Sequence, residues 1–233
     1  MSQDQLVLIP LWYAVFLLSL TCHEAAHAFA AYRGGDPTAY LGGQVTLNPL
    51  PHVQREPFGT ILVPLMTFLF MGWMMGWASA PYDPLWEDRH PRRAAMMAAA
   101  GPLANLLLAL LAFALLKIGL ASGWWVPPVT DYIEYDLLVR PLTEATGWLE
   151  GLGRLCSIML TLNLLLFVFN LIPLPPLDGS AVLSGLFAPL RNLRDQLRAS
   201  PSGGLIGLLV AWYGIRFIFP PVYGMVLGWL YGW

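Results

Sequence analysis

Long apolar runs separated by short polar connections dominate the chain. A helix needs about 20 apolar residues to cross hydrocarbon. Four runs reach that length: Leu6 to Tyr32, Ala94 to Leu120, Leu152 to Ile172 and Leu205 to Leu230. Gly34 and Gly35 follow the first as a helix stop, and Pro173, Pro175 and Pro176 end the third. The run from Leu177 to Leu190 is too short to span and predicts a partly buried helix. A fifth run, Phe58 to Ala78 ("FGTILVPLMTFLFMGWMMGWA"), is broken by glycines, so its helical part is too short for a full crossing.

Charge decides how the fifth run is placed, because Lys and Arg favour the cytoplasmic side. If Phe58 to Ala78 enters the membrane and returns, then Arg33, Arg55, Arg89, Arg92, Arg93, Arg191, Arg194 and Arg198 share one side. The loop from Ser122 to Glu150 falls on the other, with Asp131, Glu134, Asp136, Glu144, Glu150 and Arg140. A full crossing would separate Arg33 and Arg55 from the rest. The sharper asymmetry favours a re-entrant segment, with both chain termini outside. Irregular backbone at that depth is tolerated only against protein or a wet cavity.

Composition agrees. Charged residues make up 11% of the chain and hydrophobic ones 57%, against roughly 25% charged in a soluble domain. The fold expected is an all-α polytopic membrane protein of about four full spans plus the re-entrant segment. It forms a single integral membrane domain over residues 1–233, with a core at 6–190 and an additional C-terminal span at 205–230. A net charge of −2 argues against a nucleic-acid partner. Cys22 and Cys156 lie in apolar runs and read as small buried hydrophobes. The N-terminal "MSQDQ" lacks the basic region of a cleavable signal, so the first run is expected to remain in the mature protein.

The first span carries the residues that do not fit a lipid environment. "LTCHEAAHAFAAY" holds His23, Glu24 and His27, and ionisable groups are costly in hydrocarbon and usually functional there. Residues four apart share a helix face, so both imidazoles can reach one metal ion, with Glu24 bordering that face. Two histidines on zinc beside a glutamate base is the arrangement of zinc proteases. In a soluble protein the pattern often arises by chance; inside a span it would require three ionisable groups without purpose.

Zinc with an open position needs a third protein ligand. Asp178, in "NLIPLPPLDGS", follows the third span where prolines break the helix. It reads either as a helix N-cap or as that ligand. The depth of the histidines, roughly 8–14 Å from the end of the first span, places Asp178 at the same side and favours the ligand.

The HExxH span, "AAAGPLANLLLA" opening the next span and "NLIPLPPLDG" ending the third together resemble the site-2 protease family. The resemblance covers about Leu6 to Leu190, and "TLNPLPHVQREPFGT" is similar to a stretch of its short, single-domain members. It implies an intramembrane zinc metalloprotease that cuts transmembrane proteins, with His23, His27 and Asp178 on one Zn2+ per chain and Glu24 as catalytic residue. It also implies a re-entrant β-hairpin between the first two core spans, to which Tyr40 to Leu47 has suitable composition. An edge strand there would hold an unwound substrate helix by strand addition.

Asn105 in "GPLAN" and Asn170 in "FNLIP" read either as helix–helix hydrogen bonds or, by the resemblance, as oxyanion or substrate-binding groups. Asn163 lies two turns before Asn170 and shares its face. His52 reads as a loop residue. The short members usually carry Lys-Pro after "GWA"; here Ser79-Ala80-Pro81 stand instead, which touches no expected zinc ligand. No PDZ-like or CBS-like domain fits the length. "FMGWMMGW" reads as interfacial packing and "RNLRDQLR" as a solvated cytoplasmic helix near anionic headgroups. The partners expected are a transmembrane protein substrate and the lipid bilayer, in a prokaryotic cell membrane with the site towards the cytoplasm. An inactive helix-binding homologue and a metal transporter are the alternatives. An intact Glu24 argues against the first, and the lack of a polar path along the other spans against the second.

Overall fold

The fold is that of a computed structural model, which describes residues 6–129, 134–143, 147–200 and 202–232. Asp131 and Glu144 of the acidic loop lie outside the described residues. In chain order the elements are α1 (Ile9–Gly34), α2 (Thr38–Leu41), α3 (Leu50–Arg55), a wide π-type turn (Phe58–Leu62) running into α4 (Val63–Met71), α5 (Pro84–Arg89) and α6 (Pro91–Ala121). Then follow β1 (Trp125–Val126), β2 (Arg140–Pro141), α7 (Gly147–Asn170), α8 (Asp178–Leu186), α9 (Ala188–Ala199) and α10 (Gly203–Tyr231).

The four long apolar helices among the described residues are α1, α6, α7 and α10, each within a few residues of a run read as a span. The protein is an integral, multi-pass membrane protein. α1 stops at Gly35, whose φ of +99° suits a residue without Cβ and whose N–H reaches the Tyr32 carbonyl at 3.1 Å. α6 packs against α1, α7 and α8. α10 lies at the periphery and buries one narrow stripe, Gly207, Ala211, Ile215, Phe219, Tyr223 and Leu227, against the bundle. Lys117 of α6 donates to the Trp229 and Leu230 carbonyls at 2.7 and 2.9 Å, closing the last turn of α10 with a cation.

The fifth apolar run goes in and comes back. α4 ends at Gly72, φ +79°, and the returning chain lies along its own entry. Met75 N–H donates to the Thr67 hydroxyl at 2.9 Å, and Trp77 N–H donates to the Gly59 carbonyl at 3.1 Å. Gly59 and Gly76 permit this contact, since a Cβ on either would collide with the opposite backbone. The two ends meet: Ser79 Oγ donates to Glu56 Oε1 at 2.8 Å and accepts from Arg55 Nε at 3.3 Å. At the tip, the Trp73 ring lies 5.6 Å from that of Trp212, which stands about 14 Å along α10 from Gly203. Phe68 and Met74 are buried against Trp12 and Phe16 of α1 and Ile158 and Leu162 of α7.

Three local expectations change. Tyr40 to Leu47 forms no strand. Asp36 captures the Thr38 amide at 2.9 Å and its hydroxyl at 2.5 Å, which starts a helical turn, and Gly43 at φ +72° turns the chain again. The small antiparallel sheet among the described residues lies in the acidic loop, pairing Trp125 with Pro141 and Val126 with Arg140. "RNLRDQLR" is not simply solvated: Arg194 is buried and pairs with Glu87 Oε1 at 2.6 Å, while Leu193 and Leu197 face outwards. His52 belongs to α3, is buried, and donates Nε2–H to the Thr46 carbonyl at 3.1 Å.

Asp36 joins the end of α1 to the start of α5, because its second oxygen accepts from the Asp83 amide at 2.8 Å. Burial alone pushes its carboxyl up, but the bonds from Thr38 and Asp83 outweigh that and hold it below the ordinary 3.8. A depressed folded pKa gives stability that is present above the ordinary value and lost as pH falls through the folded one. Asp36→Ala is therefore expected to cost about 1–3 kcal/mol at pH 7. Thermal unfolding in detergent should show the gap to wild type narrowing as the medium is acidified through the carboxylate range.

Candidate metal centre

α1 is apolar along most of its length but carries a buried seam of Ser19, Thr21, His23, Glu24 and His27. His23 and His27 stand one turn apart, with rings edge to face and centroids 4.6 Å apart. Their Nε2 atoms lie 2.9 Å from each other. Asp178 Oδ2 approaches both, at 3.2 Å from His23 and 3.4 Å from His27. These three groups, 155 positions apart at the extremes of the chain segment they span, are the cluster among the described residues that could hold a metal ion.

Asp178 reaches this point because α7 ends at Asn170 and the chain breaks through Pro173, Pro175 and Pro176 before α8 begins. Asp178 is the first helical residue, and the N-cap is Leu177, which makes no side-chain capping bond. The capping alternative is thus not what the structure shows. Gly179 allows α8 to start against the end of α7, where a Cβ would collide with the Leu171 carbonyl.

The opposite ring nitrogens fix the tautomers. His27 Nδ1–H donates to the Met97 carbonyl at 2.8 Å, and His23 Nδ1–H donates to Asn105 Oδ1 at 2.6 Å. In the neutral rings, the form that binds a metal, both hydrogens therefore sit on Nδ1 and both Nε2 lone pairs face the Asp178 oxygen. That oxygen is buried and has no hydrogen-bond donor. Three electron-rich atoms facing one another repel unless a cation lies between them. Tetrahedral zinc with ligands at about 2.0–2.1 Å separates its donors by about 3.3 Å, close to the spacings found here. On the α6 side Gly101 leaves the space open: a Cβ there would collide with His27 Nε2 and His23 Nε2. The residues present fit a zinc ion.

Asn105 is wholly buried. Besides accepting from His23, its amide donates to Asn163 Oδ1 at 2.9 Å and to the Ser19 carbonyl at 3.3 Å. The Asn163 amide donates to Ser19 Oγ at 2.8 Å and to the Met159 carbonyl at 2.9 Å. α1, α6 and α7 are thereby joined by one buried polar network that ends on an imidazole. Ser19 and the Met97 carbonyl were absent from the sequence reading. Ser19, a small polar residue one turn before His23, carried a signal; a main-chain carbonyl carries none. Glu24 is buried on the same turn as His23. Asn170 is half-buried and donates to the Leu166 carbonyl of its own helix at 3.0 Å, and His52 of α3 is bonded to the Thr46 carbonyl of the segment before it. Neither is joined to the histidines by a described hydrogen bond.

The family described as "Peptidase family M50" matches residues 12–213. The chain is 36% identical over 206 residues to YwhC of Bacillus subtilis (strain 168), covering 88% of this chain and 81% of that protein. It is 30% identical over 218 residues to Rip2 of Mycobacterium tuberculosis (strain H37Rv), covering 94% and 70%. Rip2 of Mycolicibacterium smegmatis is 30% identical over 192 residues, covering 81% of this chain and 60% of that protein. These relatives are named as candidate zinc metalloproteases. No solved structure matches the chain.

Two substitutions probe the metal fit without touching a donor atom. Gly101→Ala places a methyl group against both Nε2 atoms, so competition with a chromophoric chelator should show zinc binding abolished. Asn105→Ala frees the His23 ring, and the same titration should show affinity reduced by about 10–100-fold.

Proposed function

The chain belongs to peptidase family M50, a family of zinc metalloproteases, and on that premise we propose that it is an intramembrane endopeptidase that cuts transmembrane segments of other proteins. The observation that carries this reading is the convergence of His23, His27 and Asp178 at 2.9–3.4 Å, with both histidines on α1, a helix long and apolar enough to span. The histidines lie about 10 and 17 Å from the Gly34 end of α1, below the membrane surface rather than above it.

In this reading His23, His27 and Asp178 hold one zinc ion per chain. Bound zinc supplies the Lewis acidity that makes water a nucleophile near neutral pH. Glu24, on the same helical turn, takes the proton of the attacking water and delivers it to the leaving amine. The carboxylate and the two imidazoles are kept apart in role by their bonds: Nδ1 of each histidine is committed to a fixed acceptor, which leaves Glu24 as the proton carrier. Asn105 positions His23, and Asn170, at the end of α7, is assigned to substrate.

A helical peptide bond is shielded by its own turn, so the substrate must be drawn out before water can attack. The non-helical return from Trp73 to Pro81 offers main-chain groups for that purpose in place of a strand at Tyr40 to Leu47. Its Ser79 end lies with Arg33, Arg55, Arg93 and Arg194 at one end of the bundle, where the Arg93–Gly34, Arg55–Ser79 and Arg194–Glu87 contacts form. By the positive-inside rule this end is cytoplasmic, which places both termini of the chain outside. The whole chain acts as one membrane domain.

Purified protein reconstituted with a model transmembrane substrate tests the reading. Glu24→Gln should retain zinc and lose at least about 100-fold in cleavage rate. Asp178→Ala should lose zinc and cleavage together. Cleavage by Glu24→Gln at the wild-type rate would refute the proposal.

A further inference from the structure

α10 carries a charge where a span should have none. Arg216 stands about 20 Å from Gly203 and about 22 Å from Tyr231 along the helix. Wherever a hydrocarbon layer of about 30 Å is placed along α10, the Arg216 backbone lies at least about 8 Å inside it. Its side chain is exposed, among the outward-facing Leu209, Tyr213, Phe217 and Ile218. Among the described residues its guanidinium has one partner, the Tyr213 ring, with the centroid 5.3 Å away. Ionisable groups within spans normally face the protein interior and are paired; this one faces away from the bundle and has no anion among the described residues.

The main chain is also incomplete at this point. Pro220 and Pro221 lie inside α10, and a proline has no N–H to give to the residue four before it. The Arg216 and Phe217 carbonyls therefore lack the helical donors they would otherwise have. A guanidinium and two carbonyls without their helical donors thus lie within about one turn of each other on α10, in a medium that offers no water.

We propose that the Arg216 face of α10 is an intramembrane docking site for a transmembrane helix of another protein that carries a carboxylate at mid-span. A carboxylate accepts from the guanidinium in a two-pronged, charge-assisted pair, and hydroxyl or amide groups beside it can donate to the freed carbonyls. A second copy of this chain is the poorer occupant. α10 contains no Asp or Glu, and a two-fold contact through this face sets Arg216 against Arg216. A lipid phosphate lies outside the hydrocarbon layer, beyond the reach of an arginine side chain, and brings no donor for the carbonyls. Trp212, one turn before Arg216, packs on Trp73 at the tip of the re-entrant segment and on Phe169 of α7, so a helix docked here would sit beside the tip of that segment. The proposal stands without the peptidase reading, because its test measures association.

Full-length protein in phosphatidylcholine nanodiscs is titrated with labelled poly-leucine transmembrane peptides whose central residue is Glu, Gln or Leu, and association is read by energy transfer. The Glu peptide should bind wild type about tenfold more tightly than the Leu peptide. Arg216→Leu should abolish that preference while leaving zinc content and helical circular dichroism unchanged. Arg216→Glu should instead select a peptide with a central Lys, which shows that charge pairing and not altered folding is being read. Equal binding of the Glu and Leu peptides to wild type would overturn the proposal, as would an unchanged preference in Arg216→Leu. Loss of the preference on adding phosphatidylglycerol would assign the site to lipid, and self-association that depends on Arg216 would assign it to a second copy; either result also overturns it.

Discussion

The structure depends on holding three electron-pair donors at one point inside a membrane protein. His23 Nε2, His27 Nε2 and Asp178 Oδ2 converge within 3.4 Å, and with both rings neutral no described residue places a hydrogen between them. Such an arrangement is costly unless the surroundings enforce it. The enforcement comes from the far side of each ring: Asn105 and the Met97 carbonyl take the Nδ1 hydrogens, and Asn163 and Ser19 in turn hold Asn105. Satisfied polar networks of this kind specify one arrangement of the helices that carry them, and a half-satisfied one would be worse than an apolar contact. Here the network fastens α1 to α6 and α7 at the depth of the metal centre.

The rest of the fold leaves room beside that point and brings the third donor to it. Gly101 keeps α6 clear of the imidazoles, and Gly179 lets α8 begin against the end of α7, so that Asp178 arrives from a separate segment. The re-entrant segment fills the space a full span would take, yet its ends are joined by Ser79 and Glu56 at one end of the bundle. α9 is bound to the same end through the buried Arg194–Glu87 pair, which fixes α8 and its aspartate relative to α5 and α6.

Much of this was legible in the sequence because membranes restrict what a sequence can do. A long apolar run has few interpretations, and three ionisable residues within one have fewer, so the spans and the His23–Glu24–His27 turn could be read directly. Asp178 was legible once the histidines demanded a third donor. The re-entry of Phe58 to Ala78 followed from the distribution of arginines. What escaped depended on contacts between distant parts. Strand-like composition at Tyr40 to Leu47 yielded to a local capture of Thr38 by Asp36. The arginines of α9 looked solvated until Glu87, a hundred residues earlier, was found against Arg194. Asn105 reads in the sequence as either packing or substrate binding; its bonds to His23, Asn163 and Ser19 appear only in the three-dimensional arrangement. Arg216 carries little signal in the sequence, because a single charge in a long apolar run hardly changes the reading of that run as a span.

The central claim is that one zinc ion sits among these three residues with an open position for water. Zinc K-edge absorption spectroscopy of the purified full-length protein tests it most directly. The account predicts a four-coordinate first shell of nitrogen and oxygen only at about 2.0–2.1 Å, with the outer-shell scattering of two imidazoles. A sulfur shell at about 2.3 Å, as ligation by Cys22 would give, or scattering from fewer than two imidazoles, would contradict it.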